Sequence, residues 1–143
     1  MTFTQWLSNL FNPDKGIRYI TKTTDGQFLD TLSYEEFGCH CDYTDCTRIL
    51  YYQKTIDSYE DTRDEFGEKI KVSSGHRCQR HNWDEGGELR SYHMIGHAID
   101  ITPLDFSQEK LDNLEVIARK HFDVVIRYNG FIHCHNLGED DAG

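Results

Sequence analysis

Hydrophobic residues recur at two different spacings along this chain, and the spacing predicts where helices and strands lie. From residue 49 to residue 66 they recur every three or four positions, which is the period of one face of an α-helix. Asp45 or Thr47 is suited to begin this helix as its N-cap, and Gly67 is suited to end it. The positions on its predicted packing face are Ile49, Tyr52, Ile56, Tyr59, Arg63 and Phe66.

A second helix is predicted after Ser107, whose side chain suits an N-cap. Its buried stripe comprises Leu111, Leu114, Ile117, Ala118 and either His121 or Phe122. Elsewhere the apolar residues alternate or form short runs, which indicates strands at residues 69–73, 98–102, 123–128 and 130–135. The last two are joined through Asn129-Gly130, a dipeptide that favours a tight hairpin turn.

The N-terminal residues carry weaker patterns. Residues 4–11 predict an amphipathic helical segment, and residues 16–22 and 27–29 predict two strands that pair as a hairpin around Asp25-Gly26. We expect this hairpin to cover an edge of the main fold. The segment from Ser74 to Tyr92 is polar and has no periodicity, so it is predicted to be a long loop, and such loops in compact domains are usually functional.

The order of these elements predicts the fold class. Helix, strand, loop, strand, helix and hairpin in succession indicate an α+β fold, with a small antiparallel sheet flanked by two helices. We assign residues 32–137 to one domain, residues 1–31 to an N-terminal extension and residues 138–143 to an acidic tail.

Length and charge exclude several functions. A chain of 143 residues is the size of one domain with a substantial core. Its net charge of −10 argues against a nucleic-acid partner, because phosphate binding requires a basic face. No apolar run is long enough to span a membrane. The segment from Met1 to Leu7 lacks the basic start and apolar core of a secretory signal peptide.

The stretch from Ser91 to Asp100 carries the clearest candidate chemistry. It reads S-x-H-x-x-G-x-A-x-D, and its His93 and Asp100 are nitrogen and oxygen donors that both suit a zinc ion. Gly96 permits a backbone angle that other residues adopt only at a cost. Strand alternation places Asp100 and Ala98 on one face and the neighbouring isoleucines on the other.

A catalytic zinc needs three protein ligands and an open position. The third donor is expected on a neighbouring strand, and the C-terminal strand offers two. His133 and His135 lie two residues apart, so they share one face of that strand.

Five cysteines stand at positions 39, 41, 46, 78 and 134, and an odd number leaves at least one outside any intramolecular disulfide. Three interpretations are open. The thiols are reduced and packed incidentally, some of them form a disulfide, or they build a second, structural zinc site. In that site Cys39, Cys41 and Cys46 would be joined by His40 or Cys78, although the spacing is irregular for a zinc knuckle.

Together these residues resemble a known family. The S-x-H-x-x-G-x-A-x-D stretch followed by Phe131-Ile132-His133 is similar to the signature of the zinc D-Ala-D-Ala carboxypeptidases. These belong to the LAS peptidases, which cut peptidoglycan and share a zinc fold with the hedgehog signalling domain. Residues 72–78 resemble the family's V-x-S-G-Y-R segment, and residues 81–87 its H-N…G-G segment. Residues 32–39 resemble the L-S-E-F-x-C entry of a compact, phage- and bacterium-borne branch.

The resemblance implies a zinc-dependent metallopeptidase that cleaves peptide bonds of peptidoglycan, as a carboxypeptidase or an endopeptidase of the endolysin kind. It implies that His93, Asp100 and His133 bind the zinc, because the segment around His133 matches the compact branch, whose only late histidine is a ligand. His135 stands where that branch has aspartate, and it is expected to act as a catalytic partner on the same strand face.

Two further residues receive roles in this interpretation. The resemblance gives Arg77 a substrate-binding role, and its fork of donors suits a carboxylate or a developing oxyanion. Ser91 is expected either to hydrogen-bond the substrate backbone or to orient the turn.

The general base is not identified by the sequence. A related branch has a carboxylate three residues before the last ligand, and Gly130 stands at that position here. The remaining candidates for the base are His135, Asp84, Glu85, Glu88 and Asp123.

The missing carboxylate keeps a second function open, that of a catalytically inactive zinc module with a structural or wall-binding role in a virion. For the enzyme, the expected cofactor is Zn2+, the expected partner is peptidoglycan peptide, and the expected state is a monomer. Without a signal peptide, we expect the protein to remain in the host cytoplasm until lysis or to be carried by the virion.

Overall fold

The structure is a computed structural model that describes residues 16–88 and 90–138. The helix expected at residues 4–11 and nearly all of the acidic tail lie outside these residues. The described elements, in chain order, are β1 (Ile17–Thr21), β2 (Gln27–Leu29), β3 (Leu32–Ser33), α1 (Tyr34–Phe37), β4 (Arg48–Tyr52), α2 (Gln53–Phe66), β5 (Ile70–Ser74), α3 (Gln79–Asp84), a 3₁₀ turn (Tyr92–Ile95), β6 (Ala98–Pro103), α4 (Gln108–His121), β7 (Val124–Tyr128) and β8 (Phe131–His135).

A four-stranded antiparallel sheet in the order β5-β6-β8-β7 forms the centre of the domain. The fold is therefore α+β with antiparallel pairing, as the sequence predicts. In the pairing of β6 with β8, Asp100 lies opposite His133 and Ala98 lies opposite His135. This register brings the two halves of the predicted metal motif together.

One face of this sheet is covered by the two long helices. Helix α4 packs against β6, β7 and β8, and α2 packs against α4. Residues of alternating position on the two central strands join the same buried cluster as the helices, namely Ile99, Ile101, Ile132 and Cys134. The intervening residues, including Asp100 and His133, therefore face away from the helices.

The N-terminal part of the chain differs from the prediction in two ways. Arg48–Tyr52 is a strand that pairs with β1, so the predicted long helix begins only at Gln53. β1 does not pair with β2 as a hairpin, because β2 pairs with β3 instead. Ile49 and Ile56 are both buried, so the three- and four-residue spacing continues across the junction between strand and helix and conceals it.

The segment from Ser74 to Tyr92 is also more ordered than predicted. It contains α3, where the Cys78 side chain accepts from the backbone N–H of His81 and caps the helix. Only Asn82 is buried on this helix, so no apolar periodicity marks it in the sequence. Among the residues described, no helix is long and apolar enough to cross a membrane.

Candidate metal centre and substrate cleft

Three side chains meet on the open face of the central sheet. His93 Nε2 lies 3.2 Å from Asp100 Oδ1 and 3.2 Å from His133 Nδ1, and the last two atoms are 3.0 Å apart. The 3₁₀ turn supplies His93, β6 supplies Asp100, and β8 supplies His133. The structure thus brings together the three residues that the sequence predicts as ligands.

The orientation of His93 is fixed by a backbone carbonyl. Its Nδ1 lies 2.6 Å from the carbonyl oxygen of Gly75, so Nδ1 carries the proton and donates it. Nε2 then has a free electron pair aimed at the other two donors. This contact could not be predicted from the sequence, since a carbonyl partner can be contributed by any residue type.

Gly96 ends the 3₁₀ turn that carries His93, with a φ of 72° in the left-handed region. A Cβ at this position would overlap the carbonyl oxygen of Leu50 on β4. The carbonyl of Gly96 accepts from Tyr52 N at 3.1 Å. The turn is therefore held against β4 at a point where only glycine fits, which agrees with the backbone freedom that the sequence predicts there.

The three donor atoms fit a zinc ion. Bonds of about 2.0–2.1 Å to a tetrahedral zinc separate the ligand atoms by roughly 3.3–3.4 Å. The observed separations of 3.0–3.2 Å are slightly shorter, so a small outward movement would accommodate the ion. Three electron-rich atoms this close repel one another unless a proton or a metal ion lies between them, and two imidazoles with one carboxylate around a zinc leave a fourth position for substrate or solvent.

The charge states of the buried donors also suit a metal. Burial lowers the pKa of His93, and this effect outweighs the opposing influence of Asp100, so the imidazole is neutral. Burial alone would raise the pKa of Asp100, but the influence of the neighbouring His133 and His93 outweighs it and holds that pKa well below its ordinary value. A neutral imidazole and an ionised carboxylate are the forms that bind zinc.

His135 lies behind His133. Its Nδ1 is 2.7 Å from His133 Nε2, and its ring stacks on Tyr92 with centroids 4.0 Å apart. Burial, followed by the neighbouring charges of His133 and His97, lowers the pKa of His135 to about 4, so it is neutral at pH 7. The stacking partner Tyr92 was not predicted as part of the site.

Arg77 points towards the metal centre from the segment after β5. Its Nη2 lies 3.3 Å from Asp100 Oδ2, the carboxylate oxygen that faces away from the other two ligands. Its Nε donates to Ser74 Oγ at 2.9 Å, and its Nη1 donates to Asn82 Oδ1 at 3.4 Å. Three partners therefore hold the guanidinium in place, including Asn82, which was not among the residues predicted to be functional.

A cleft of about 480 Å³ opens over these residues. Ser91 lines it, and its Oγ also accepts from His93 N at 3.2 Å, which orients the turn. The remaining lining residues are Arg77, Glu85, Gly86, Gly87, Glu88, Arg90, Tyr92, His93, Asp100, Ile126, Tyr128, Phe131, His133 and His135. Most of them come from the segment between residues 77 and 93 or from the β7–β8 hairpin.

The carboxylate candidates for the general base fall into two groups, those that line the cleft and those that lie outside it. Glu85 and Glu88 line the cleft, and both are exposed. Asp84 and Asp123 do not line it. Asp84 accepts a hydrogen bond from Tyr43, and Asp123 binds the ammonium of Lys54 at 2.9 Å.

Comparison with known proteins gives a family. A family model described as Peptidase M15 matches residues 30–135, which is most of the chain and includes all three donors of the metal centre. A search of curated proteins found no significant match. Members of this family are zinc-dependent peptidases, in keeping with the donor set described above. The chain belongs to the Peptidase M15 family.

Proposed function

We propose that this protein is a zinc peptidase that cleaves peptide bonds in the peptide part of bacterial peptidoglycan, with residues 32–137 as the peptidase domain. The observation that carries the proposal is the convergence of His93 Nε2, Asp100 Oδ1 and His133 Nδ1 at the floor of an open cleft. The compact branch that the sequence resembles is borne by phages and bacteria, so we propose lysis of a bacterial wall as its setting.

His93, Asp100 and His133 would hold the zinc ion, which supplies polarisation of the scissile carbonyl and activation of water. The guanidinium of Arg77 lies beside Asp100 and lines the cleft, where its donors can bind a substrate carboxylate or the developing oxyanion. Ser91 also lines the cleft, and its hydroxyl would hydrogen-bond the substrate backbone. Exposed Ile126 and Tyr128 offer an apolar wall to the peptide side chains.

We further propose that His135 acts mainly by positioning His133. When His133 binds a metal through Nδ1, its Nε2 carries a proton, which His135 Nδ1 accepts at 2.7 Å. A neutral imidazole has one acceptor nitrogen, so this hydrogen bond occupies the atom that a general base needs. The proton acceptor is then a carboxylate of the cleft, and Glu88 is our first choice because Glu85 already contacts His81 at 3.3 Å.

The test is digestion of purified peptidoglycan peptides, followed by mass spectrometry of the products. Zinc-loaded protein should release a defined fragment or a terminal alanine, a chelator should stop the reaction, and added zinc should restore it. Glu88→Gln should reduce the rate by at least about a hundredfold if Glu88 is the base, while the zinc content remains unchanged. Glu85→Gln is the matched control, because Glu85 lines the same cleft. Equal rates for wild type and Glu88→Gln would remove Glu88 from the mechanism.

One observation favours a second function, that of a zinc-containing binding module without activity. Gly130 occupies the position of the carboxylate found in a related branch, and it forms the β7–β8 turn with a φ of 92°. For the protein to be an active peptidase, another carboxylate in the cleft would have to take the role of the missing one. Zinc-loaded protein that cleaves no wall peptide from any of several bacteria, yet co-sediments with the walls, would support this function instead.

A further inference from the structure

We propose that Cys39, Cys41, Cys46 and Cys78 bind a second zinc ion in a structural site, separate from the centre at His93. The four Sγ atoms all lie within 4.8 Å of one another, and Cys41 Sγ is 3.7 Å from Cys78 Sγ. Three of these residues lie in the segment between α1 and β4. Cys78 lies 32 residues after Cys46, at the start of α3. Folding therefore assembles the cluster from two separate segments.

The spacing of the sulfur atoms fits a metal better than a disulfide. A disulfide requires two sulfurs about 2.05 Å apart. Four thiolates around a tetrahedral zinc, with bonds of about 2.3 Å, lie roughly 3.8 Å apart. The separation of 3.7 Å between Cys41 and Cys78 matches the second value, and all five cysteines of the chain are free thiols in this structure.

The surroundings of the cluster suit negatively charged sulfur. The ammonium of Lys22 lies 3.4 Å from Cys46 Sγ and 3.5 Å from Cys41 Sγ. The backbone N–H of Cys78 donates to Cys39 Sγ at 3.3 Å. Four thiolates around a divalent ion leave a net charge of −2, which donors of this kind stabilise from outside the ligand shell. A cluster of packed neutral thiols would gain little from a lysine ammonium.

Two histidines near the cluster are not needed as ligands. His40 Nε2 faces the carbonyl oxygens of Glu35 and Glu36 and is exposed. His81 Nδ1 lies 3.1 Å from Cys39 Sγ, a distance at which it can donate a hydrogen bond to a metal-bound thiolate. Cys78 is thus the fourth ligand among the two candidates that the sequence leaves open.

The site would fix the segment that completes the catalytic centre. Cys78 directly follows Arg77, and two residues further back the carbonyl of Gly75 orients His93. A metal that ties Cys78 to residues 39–46 would therefore hold Arg77 and Gly75 in register with the cleft. In the absence of that ion, we expect this segment to move while the central sheet remains folded.

The experiment counts metal by elemental mass spectrometry in protein purified with zinc and desalted. The wild type should hold two zinc ions per chain, whereas His93→Ala and Cys46→Ser should each hold one. Cys134→Ala is the matched control, because Cys134 is the cysteine outside the cluster and packs in the core; it should keep two. Replacement of zinc by cobalt adds a signature, since thiolate ligands give an intense sulfur-to-cobalt absorption in the near ultraviolet.

That absorption should be present in wild type and in His93→Ala and absent in Cys46→Ser. If Cys46→Ser fails to fold, the cobalt spectra of the wild type and of His93→Ala alone decide the matter. One zinc per wild-type chain with no sulfur-to-cobalt absorption would overturn the proposal, as would an intact mass lower by two hydrogens from a disulfide within the cluster. These outcomes leave the peptidase proposal untouched, since that proposal concerns the His93 centre and is tested by digestion.

Discussion

Truncation of His135 and of His133 to alanine should have different effects, although the two residues are neighbours on one strand face. His133 points Nδ1 at Asp100 and His93, whereas His135 reaches the metal centre through the rear nitrogen of His133 at 2.7 Å. His133→Ala removes one of three ligands. His135→Ala leaves all three ligands and removes the acceptor that fixes the tautomer of His133.

The expected magnitudes follow from these contacts. Loss of a hydrogen-bond partner behind a metal ligand weakens zinc binding by about 10–100-fold, or roughly 1.4–2.8 kcal/mol. Loss of the ligand itself should weaken binding well beyond that range, to the point where no zinc remains after desalting. His135→Asn should recover most of the lost affinity, because its Oδ1 stands close to the position of the histidine Nδ1 and accepts the same hydrogen bond.

The measurement is a competition titration for zinc against a chromogenic chelator at pH 7.5. If the cysteine cluster also binds zinc, every variant and the reference are titrated in the same Cys46→Ser background, so that one site is observed and any movement of the Gly75 segment is common to all of them. Far-ultraviolet circular dichroism of each variant checks that the sheet is folded. Peptide cleavage at saturating zinc then separates an effect on metal affinity from an effect on turnover.

The opposite pattern would refute the ligand assignment. If His135→Ala loses zinc and His133→Ala keeps it, the metal lies two residues further along β8 than we propose. If His135→Ala binds zinc as tightly as the wild type yet shows no cleavage at saturating zinc, His135 takes part in the chemistry directly, and its proposed positioning role is wrong.

Three further outcomes are expected. Arg77→Ala should lower kcat/KM by the factor that corresponds to a loss of about 2–4 kcal/mol of transition-state stabilisation, while one zinc remains at the His93 centre. Wild-type kinetics in this variant would remove Arg77 from the mechanism. Gly96→Ala should lower the free energy of unfolding by at least about 1–3 kcal/mol in urea titrations, because φ is positive and Leu50 blocks the Cβ; an unchanged midpoint would contradict this. For Asp123, burial raises the pKa, but Leu137 N–H and Lys54 outweigh it and the folded pKa is lowered. The stability that Asp123 contributes is therefore present above about pH 4 and is lost as the pH falls through the folded value. Chelator-treated Asp123→Asn should be less stable than wild type at pH 7 and should approach it at pH 3, whereas an equal difference at both values would exclude ionisation of Asp123 as the cause.

The central sheet could be predicted from the sequence because its information is local. Alternation through residues 98–101 and the Asn129-Gly130 turn specify which side chains share a face and where the hairpin turns, and both agree with the structure. The ligand candidates follow, because His93, Asp100 and His133 occupy those faces. Their convergence on one point depends on the register of β6 with β8, which no local pattern supplies.

The errors arose where a partner distant in sequence decides the structure. Arg48–Tyr52 fits a helical spacing, yet its five residues pair with β1 and become a strand, because the alternative leaves the edge of β1 unpaired. Likewise, the fourth cysteine of the cluster comes from 32 positions away, so the irregular spacing of the first three could not be interpreted without the fold.

The strict alternation along β6 and β8 separates two tasks between two sets of residues. Ile99, Ile101 and Ile132 pack in the core, while Asp100 and His133 belong to the candidate metal centre on the other face. Substitutions among the donors can therefore change which metal is preferred without removing buried apolar volume. Exchange of Asp100 for histidine or cysteine, for instance, would shift the centre towards softer ions on an unaltered scaffold. The domain is in this sense a framework on which metal selectivity can be redesigned independently of folding.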